Sequence, residues 1–449
     1  MQIDGKKISI IGAVRSGIGA AKLAKRSGGI PFVSDAADRS ALAENLETLQ
    51  AAGIEFETGG HSERVYDCDF MIVSPGVPSD ALVVKEAGAE NIEIMSELEF
   101  ASRFCKGTIV GITGTNGKTT TTTALDFVLN KAGKKSYSAG NIGLAFSEIA
   151  DKVKEDEIVS LEISSFQLDF ISSFKPKYSV ILNITPDHLD RYENSLQKYI
   201  DSKMKITSNQ NENDYFIYWN EDKFIAENKI NSTVKEFPFS FENKLTNGVF
   251  VADNAIVFSN NGEEETVCKT SDIRLKGKHN LMNSLAVTAV AKFLGLSGEE
   301  IKNGLSEFAG VEHRLEFVRE LNGVIFINDS KATNVDSVRY ALQSYDNPLV
   351  LILGGKDKGN DYAQIKELVR KRVKKIIAIG SSANKIAEFF EGVAPVEIKV
   401  KMEDAVAGGY QTSDKGDVVL LSPACASFDM FDNYEHRGKV FKKIVMELQ

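Results

Sequence analysis

The run Thr113-Gly114-Thr115-Asn116-Gly117-Lys118-Thr119-Thr120 carries the densest chemistry in the chain. It follows a β-branched stretch, Thr108 to Ile112, and leads into a helical pattern from Thr121 to Lys131. Glycines between a strand and a helix let backbone N–H groups turn inward. The helix N-terminus adds its positive dipole end, so phosphate oxygens find donors on the main chain. In that frame Gly114, Thr115, Asn116, Gly117 and Thr120 form a phosphate cradle. Lys118 reaches the terminal phosphates of a nucleotide and Thr119 offers its hydroxyl to a magnesium ion. The strict spacing of such loops places the first glycine at 112, where this chain has Ile112; glycines stand instead at 111 and 114.

Other reactive residues follow further strand-like runs. Glu162 interrupts the apolar pattern Val159-Ser160-Leu161-Glu162-Ile163. A buried carboxylate needs a partner, and a magnesium ion beside the phosphate loop would supply one; the alternative is a surface glutamate on an edge strand. His188 stands among Asp187, Asp190 and Arg191 in the stretch Asn183 to Tyr192. It is a candidate metal or phosphate contact. Lys203, taken alone, reads as a solvated helix lysine. Farther on, Asn328-Asp329-Ser330-Lys331-Ala332-Thr333-Asn334 and Gly354-Gly355-Lys356-Asp357-Lys358-Gly359 each follow a strand and suit carboxylates or phosphates. Near the N-terminus, Gly12-Ala13-Val14-Arg15-Ser16-Gly17 has the outline of a dinucleotide fingerprint. Val14 replaces the glycine that lets a pyrophosphate approach the backbone, which disfavours a nicotinamide oxidoreductase. A site for another nucleotide phosphate, with Asp35 facing a ribose, stays open beside a plain packed turn.

The elements that must position these residues alternate along the chain. In the first segment, strand-like runs at Ile8 to Ile11, Ile30 to Val33 and Phe70 to Val73 surround a helical stretch from Ile18 to Arg26. An acidic helix is expected over Glu93 to Lys106, with a boundary near residue 97. In the second segment, strands are expected at Thr108 to Ile112, Ile158 to Ile163 and Ser179 to Ile184. From Asn209 to Arg274 the texture turns to short aromatic and β-branched runs with Asn247-Gly248 and Asn261-Gly262, which predicts a small antiparallel flank. Helical periodicity returns from Asn280 to Phe293. The third segment alternates again, with strands at Val324 to Asn328, Leu349 to Leu353, Lys375 to Ile379 and Val418 to Leu421. The expected fold is α/β in three domains. These are a Rossmann-like nucleotide domain over 1–97, a central phosphate-loop domain with a mostly parallel sheet over 98–310, and a Rossmann-like domain over 311–449.

Bulk properties narrow the class. The chain has 449 residues, 43% hydrophobic and 26% charged, an ordinary soluble composition long enough for several cores. A formal charge of −10 argues against a nucleic-acid partner, which needs a basic face. No apolar stretch reaches membrane-spanning length, so no membrane insertion is expected. Cys68, Cys105, Cys268 and Cys425 lack metal-type spacing and read as reduced thiols of a cytoplasmic protein.

Taken together the motifs resemble one family, the ATP-dependent Mur ligases of peptidoglycan synthesis. The resemblance rests on TGTNGKTT (113–120), GNIG (140–143), LEISSFQL (161–168), NITPDHLDRY (183–192), HNLMN (279–283), HRLE (313–316), NDSKATN (328–334), GGKDKG (354–359) and LSPACASFDMF (421–431). An Asn-Pro-Arg signature of the diamino-acid-adding branch is missing from the third segment, and the SPACASFD ending points to the glutamate-adding branch.

The resemblance implies an acid–amino-acid ligase that joins D-glutamate to UDP-N-acetylmuramoyl-L-alanine through an acyl phosphate. It would act as a cytoplasmic monomer in cell-wall synthesis, and hence in cell shape and division. It implies ATP and two magnesium ions, held by Thr119, Glu162, His188 and a carbamylated Lys203, with Lys118, His188 and Lys203 as the catalytic set. Asn280 and Asn283 would contact adenine, Asp329 the ribose, and Arg314 and Lys331 the phosphates. Thr333, Lys356, Ser427 and Tyr434 would hold D-glutamate. Asn141 would lie along the acceptor, with Arg15, Ser16, Asp35 and Gly76 near its uridine diphosphate. Ala36-Ala37 and Tyr434 depart from residues seen in other members. A folate-directed glutamate ligase and a nucleotide-binding protein without turnover remain the rivals.

Overall fold

A computed structural model describes residues 1–230, 233–357 and 359–449, without the side chains of Asp190 and Asp336. Among the described residues, short runs, many of them β-branched or aromatic, form twenty strands in three sheets. The first sheet contains β1 (Lys7–Ile11), β2 (Ile30–Asp35), β3 (Glu55–Thr58), β4 (Phe70–Val73) and β5 (Glu93–Ser96) in the order β3-β2-β1-β4-β5, all parallel. The second contains β6 (Thr108–Thr113), β7 (Ser136–Gly140), β8 (Ile158–Glu162), β9 (Tyr178–Ile181), β10 (Tyr215–Trp219), β11 (Lys235–Ser240), β12 (Gly248–Ala252), β13 (Ala255–Asn260) and β14 (Glu263–Lys269). Its order is β14-β13-β12-β11-β10-β9-β6-β8-β7, parallel from β12 to β7 and antiparallel across β12-β13-β14. The third holds β15 (Glu316–Leu321), β16 (Val324–Asn328), β17 (Leu349–Gly354), β18 (Val373–Ile379), β19 (Val396–Ile398) and β20 (Val418–Leu421), ordered β15-β16-β20-β17-β18-β19. Among the described strands there, only β15 is antiparallel.

Central parallel strands carry continuous apolar runs because helices cover both faces. Every residue of β17 and β20 is buried, as are all five of β8, Glu162 included. Residues 1–276 with 280–308 form one compact unit holding the first two sheets. Residues 277–279 with 309–449 form a second unit around the third sheet.

Three local expectations change. Glu93 does not open a helix: Glu93–Ser96 is strand β5, and the helix spans Glu97–Ser102, where Ser96 Oγ accepts the Glu99 N–H at 3.2 Å. Hydrogen bonding to β4 overrides the helical preference of that stretch. Asn247-Gly248 opens β12 instead of turning a hairpin; the two tight turns are Asp253-Asn254 and Asn261-Gly262, all four residues at positive φ. The antiparallel flank is therefore narrower than the 209–274 texture suggests, since β10, β11 and β12 pair in parallel. Finally, β9 ends at Ile181, which frees Asn183 and Thr185 for other work.

Candidate functional site

The phosphate loop leaves the C-terminal end of β6 and enters the helix Lys118–Lys131. Gly117 is left-handed, with φ of 85°, and a Cβ there would lie 2.5 Å from Asn283 Oδ1. Glycine is thus required twice over, by conformation and by space. The loop is braced from the strand alongside. Thr115 N–H donates to the Asn183 carbonyl at 2.8 Å, and Asn116 N–H donates to Asn183 Oδ1 at 2.9 Å. Asn183 Nδ2 returns a bond to the Asn116 carbonyl at 3.1 Å. Thr185 N–H donates to Thr115 Oγ1 at 2.9 Å, and the Tyr199 hydroxyl lies 3.1 Å from the same oxygen. Asn183, Thr185 and Tyr199 were not among the residues singled out from sequence; the first two betray themselves only by following directly on a strand.

Two lysines converge on this loop. Lys118 Nζ donates to the carbonyls of Gly114 and Thr115, both at 2.8 Å. Lys203, on the helix Leu196–Met204, is buried, with its Nζ 3.0 Å from the Gly114 carbonyl and 4.6 Å from the Tyr199 ring centre. The solvated-lysine reading is therefore overturned. Burial, and then repulsion from Lys118, push the Lys203 amine well below its ordinary value, against smaller opposing pulls from Asp187, Asp169 and Glu162. Glu162 ends β8 and is buried; its Oε1 accepts Asn141 Nδ2 at 2.8 Å, while Oε2 has no protein partner. An orphaned buried carboxylate oxygen beside a phosphate loop is the environment a hard divalent cation takes. His188 is exposed and left-handed, with Nε2 3.6 Å from Asp187 Oδ2. Among the described residues no group of three or more His, Cys, Asp or Glu side chains forms a metal cluster. Asn283 is buried with Oδ1 unpartnered, and lines a small recess with Thr120, Asn280 and Phe308.

The first sheet reaches the same region. Arg15 donates to the carbonyls of Asn141 and Gly143, each at 3.0 Å. Arg191 donates to the Gly76 and Val77 carbonyls at 3.1 Å and lies 4.5 Å over the Phe166 ring. Asp35 is occupied with its own turn: Oδ2 accepts the Ala13 N–H at 2.7 Å and Oδ1 the Ala37 N–H at 2.8 Å. Ser16 is half-buried in the first turn of the helix Arg15–Arg26, and Gly76 is exposed in the loop after β4.

In the second unit three strand ends meet. The loops after β16, β17 and β20 carry Asp329, Lys331 and Thr333, then Lys356, then Ser427. Lys356 N–H bonds the Ala426 carbonyl at 2.8 Å, joining two of the loops. Arg437, fully buried, donates to the carbonyls of Ser330 and Cys425 at 2.8 and 3.1 Å and so pins the third. Asp329 is buried; Oδ2 accepts the Ser422 hydroxyl at 2.8 Å and Oδ1 the Leu315 N–H at 3.2 Å. Burial raises its carboxyl to about 7, with Ser422 and the Arg314 charge pulling the other way. Lys331 Nζ lies 6.0 Å from the Tyr434 ring centre, Ser427 is buried, and Thr333 is half-buried. Lys358 lies outside the described residues. His313, seen in sequence only as part of a motif, is buried against Asn328, with Nδ1 2.9 Å from Nδ2 of that residue.

Comparison with known proteins places this arrangement. Residues 7–83 match the MurD N-terminal domain, residues 112–291 the Mur ligase middle domain, and residues 313–425 the Mur ligase glutamate ligase domain. The chain is 42% identical over 468 residues to the UDP-N-acetylmuramoylalanine–D-glutamate ligase of Chloroherpeton thalassium, covering 100% of this chain and 99% of that protein. It is 44% identical over 451 residues to the ligase of the same name from Christiangramia forsetii, covering 99% and 100%. The crystal structure of the UDP-N-acetylmuramate–alanine ligase of Thermotoga maritima shares the fold, with a TM-score of 0.61 at 22% identity over 98% of this chain and 99% of that one. With relatives of this identity along its whole length, the chain belongs to the UDP-N-acetylmuramoylalanine–D-glutamate ligases of the Mur ligase family.

Proposed function

We propose that the chain joins D-glutamate to the alanyl carboxylate of UDP-N-acetylmuramoyl-L-alanine at the expense of ATP, in the cytoplasmic assembly of peptidoglycan precursors and as a monomer. The observation that carries this reading is the convergence of Lys118, Lys203 and the orphaned Glu162 oxygen on one phosphate loop. We assign the acceptor nucleotide to residues 1–97, ATP to 98–310 and D-glutamate to 311–449.

A carboxylate is a poor electrophile until its oxygen is made a leaving group. The alanyl carboxylate attacks the γ-phosphoryl of ATP, releasing ADP and giving an acyl phosphate. The D-glutamate amine then adds to that carbonyl, loses a proton, and the tetrahedral intermediate expels phosphate. Phosphoryl transfer of this kind needs alignment and charge neutralisation more than covalent help. The loop N–H groups and Lys118 bind the phosphate oxygens, and Asn280 and Asn283 hold adenine. Thr333, Lys356, Ser427 and Tyr434 orient the D-glutamate carboxylates. Asn141, Arg15, Ser16, Asp35 and Gly76 hold the acceptor, and His188 takes the amine proton.

Two magnesium ions would be held by oxygens of Thr119 and Glu162, a ring nitrogen of His188, and an anionic oxygen of Lys203 once carbamylated; the unpartnered Glu162 Oε2 supports this reading. Bound there, they would neutralise phosphate charge. Lys203 suits that modification because burial and the neighbouring Lys118 charge disfavour its ammonium form. Addition to carbon dioxide forms an N–C bond and releases one proton.

The test is phosphate release from ATP and UDP-N-acetylmuramoyl-L-alanine with D-glutamate, L-glutamate, lysine or diaminopimelate. Release with D-glutamate alone is expected. Release only with another amino acid would move the chain to a sister activity, and none with any would remove the ligase reading for this acceptor.

A further inference from the structure

At the other end of the second sheet from the phosphate loop lies a cavity of about 530 Å³ that takes no part in the chemistry above. The loop leaves the last residue of β6, whereas the cavity opens at the first residues of β6 and β9: Thr108, Ile109 and Tyr178. A strand of that length spans about 20 Å, so the two regions are separate.

The wall of the cavity carries Arg103, Lys106, Lys175 and Lys177 against one carboxylate, Asp214. Arg103 is already neutralised, 2.9 Å from Glu99 and 3.2 Å from Glu93. Lys175 and Lys177 approach the same Asp214 carboxylate, at 3.2 and 3.7 Å. Asp214 is buried, and its Oδ2 also accepts the Asn211 N–H at 3.0 Å. One fixed carboxylate therefore gathers two ammonium groups and can balance only one. Lys106, exposed at the rim, adds a third. With Arg103, Glu93 and Glu99 counted as well, four cations against three carboxylates leave one positive charge, in a chain whose formal charge is −10.

Like charges gathered this closely repel, and closely spaced anionic oxygens set among them relieve that repulsion. Ile109, Tyr178 and Leu294 give the cavity an apolar side suited to an organic body. The volume falls within the roughly 300–1,000 Å³ of small-molecule sites. We propose that this cavity binds a small organic polyanion, whose phosphate or carboxylate groups are close enough together to meet Lys106, Lys175 and Lys177 at once.

Cys105 lines the same cavity, half-buried, and reports its occupancy. Burial pushes its thiol up, so labelling belongs at mildly alkaline pH. The experiment treats the whole chain with iodoacetamide, with and without pyrophosphate or citrate, and follows the Cys105 peptide by mass spectrometry. The half-buried Cys68 serves as internal reference. K106Q/K175Q and K106E/K175E are labelled in parallel, after their folding has been checked by circular dichroism.

Protection scales as 1 + [L]/Kd, so labelling should slow about fivefold at an anion concentration four times Kd. It should slow in the unaltered chain and in neither variant, while Cys68 is unaffected. Protection by pyrophosphate alone supports a phosphorylated ligand, and by citrate alone a polycarboxylate. Unchanged labelling with both anions overturns the proposal. So does equal protection in the variants, which would place the anion elsewhere.

Discussion

Lys203 Nζ lies 3.0 Å from the Gly114 carbonyl, the same oxygen that Lys118 Nζ meets at 2.8 Å. Burial, and then repulsion from Lys118, push the Lys203 amine down. The neutral form of a lysine amine is the one that reacts with carbon dioxide. With ¹³C-bicarbonate the protein should therefore show a carbamate carbon resonance that K203M lacks. Turnover in K203M should fall about 100-fold or more, the scale of losing a charge-neutralising ligand. A spectrum identical in both proteins would count against the modification.

Gly117 concerns ATP itself. Alanine there would be left-handed and would press on Asn283 Oδ1 at 2.5 Å. We expect G117A to weaken ATP binding about tenfold, equivalent to about 1.4 kcal/mol, while the fold survives. Calorimetric titration with a non-hydrolysable ATP analogue measures this, and unaltered affinity would show that the loop tolerates the side chain.

Asp169 acts at one remove. Its Oδ1 lies 2.7 Å from Ser202 Oγ and its Oδ2 3.2 Å from the Tyr192 hydroxyl, so it fixes the helix residue next to Lys203. It is a positioning residue. D169A should lower kcat about tenfold with KM for ATP changed by less than about twofold. D169N keeps one acceptor and should recover most of the rate. Parallel losses in D169A and D169N, with KM rising equally, would point to a general structural defect.

Glu99 governs acid stability. Burial alone would raise its carboxyl, but bonds from Ser173, Ser172 and Arg103 outweigh it and hold the group at about 2, against an ordinary 4.5. A folded value below the unfolded one means stability that is complete above about pH 4.5 and lost as pH falls toward 2. At about 1.4 kcal/mol per pH unit, ionisation of this group contributes about 3 kcal/mol at neutrality. E99Q should thus lower the urea midpoint at pH 7, and the gap to the unaltered chain should narrow at pH 3. A gap that stays constant with pH would assign the loss to packing.

The phosphate loop was legible in the sequence because its parts are contiguous and its donors belong mostly to the backbone. Lys203 was not: its neighbours Gly114, Tyr199, Asp169 and Glu162 come from separate elements, and only the family resemblance singled it out. Glu162 could be read as buried from its apolar flanks, but its free oxygen could not. Strands β3 and β5 were missed because Glu55-Phe56-Glu57-Thr58 and Glu93-Ile94-Met95-Ser96 sit at sheet edges, where one apolar face suffices and helix formers are tolerated. Asn247-Gly248 misled for a related reason. Its dipeptide chemistry is local, whereas the choice of Asp253-Asn254 as the turn depends on the register of β12 with β13.

The strand that closes the antiparallel flank also shapes how copies of this protein meet. β14 ends the nine-stranded sheet, and Glu263, Glu264 and Glu265 stand exposed along it. Lys244 and Lys292 each neutralise one of the three, at 2.7 Å from Glu264 and Glu265. An open edge would otherwise template a further strand from another chain. The charged side chains of Glu263, Glu264 and Glu265 make that edge a poor template for a strand from another copy.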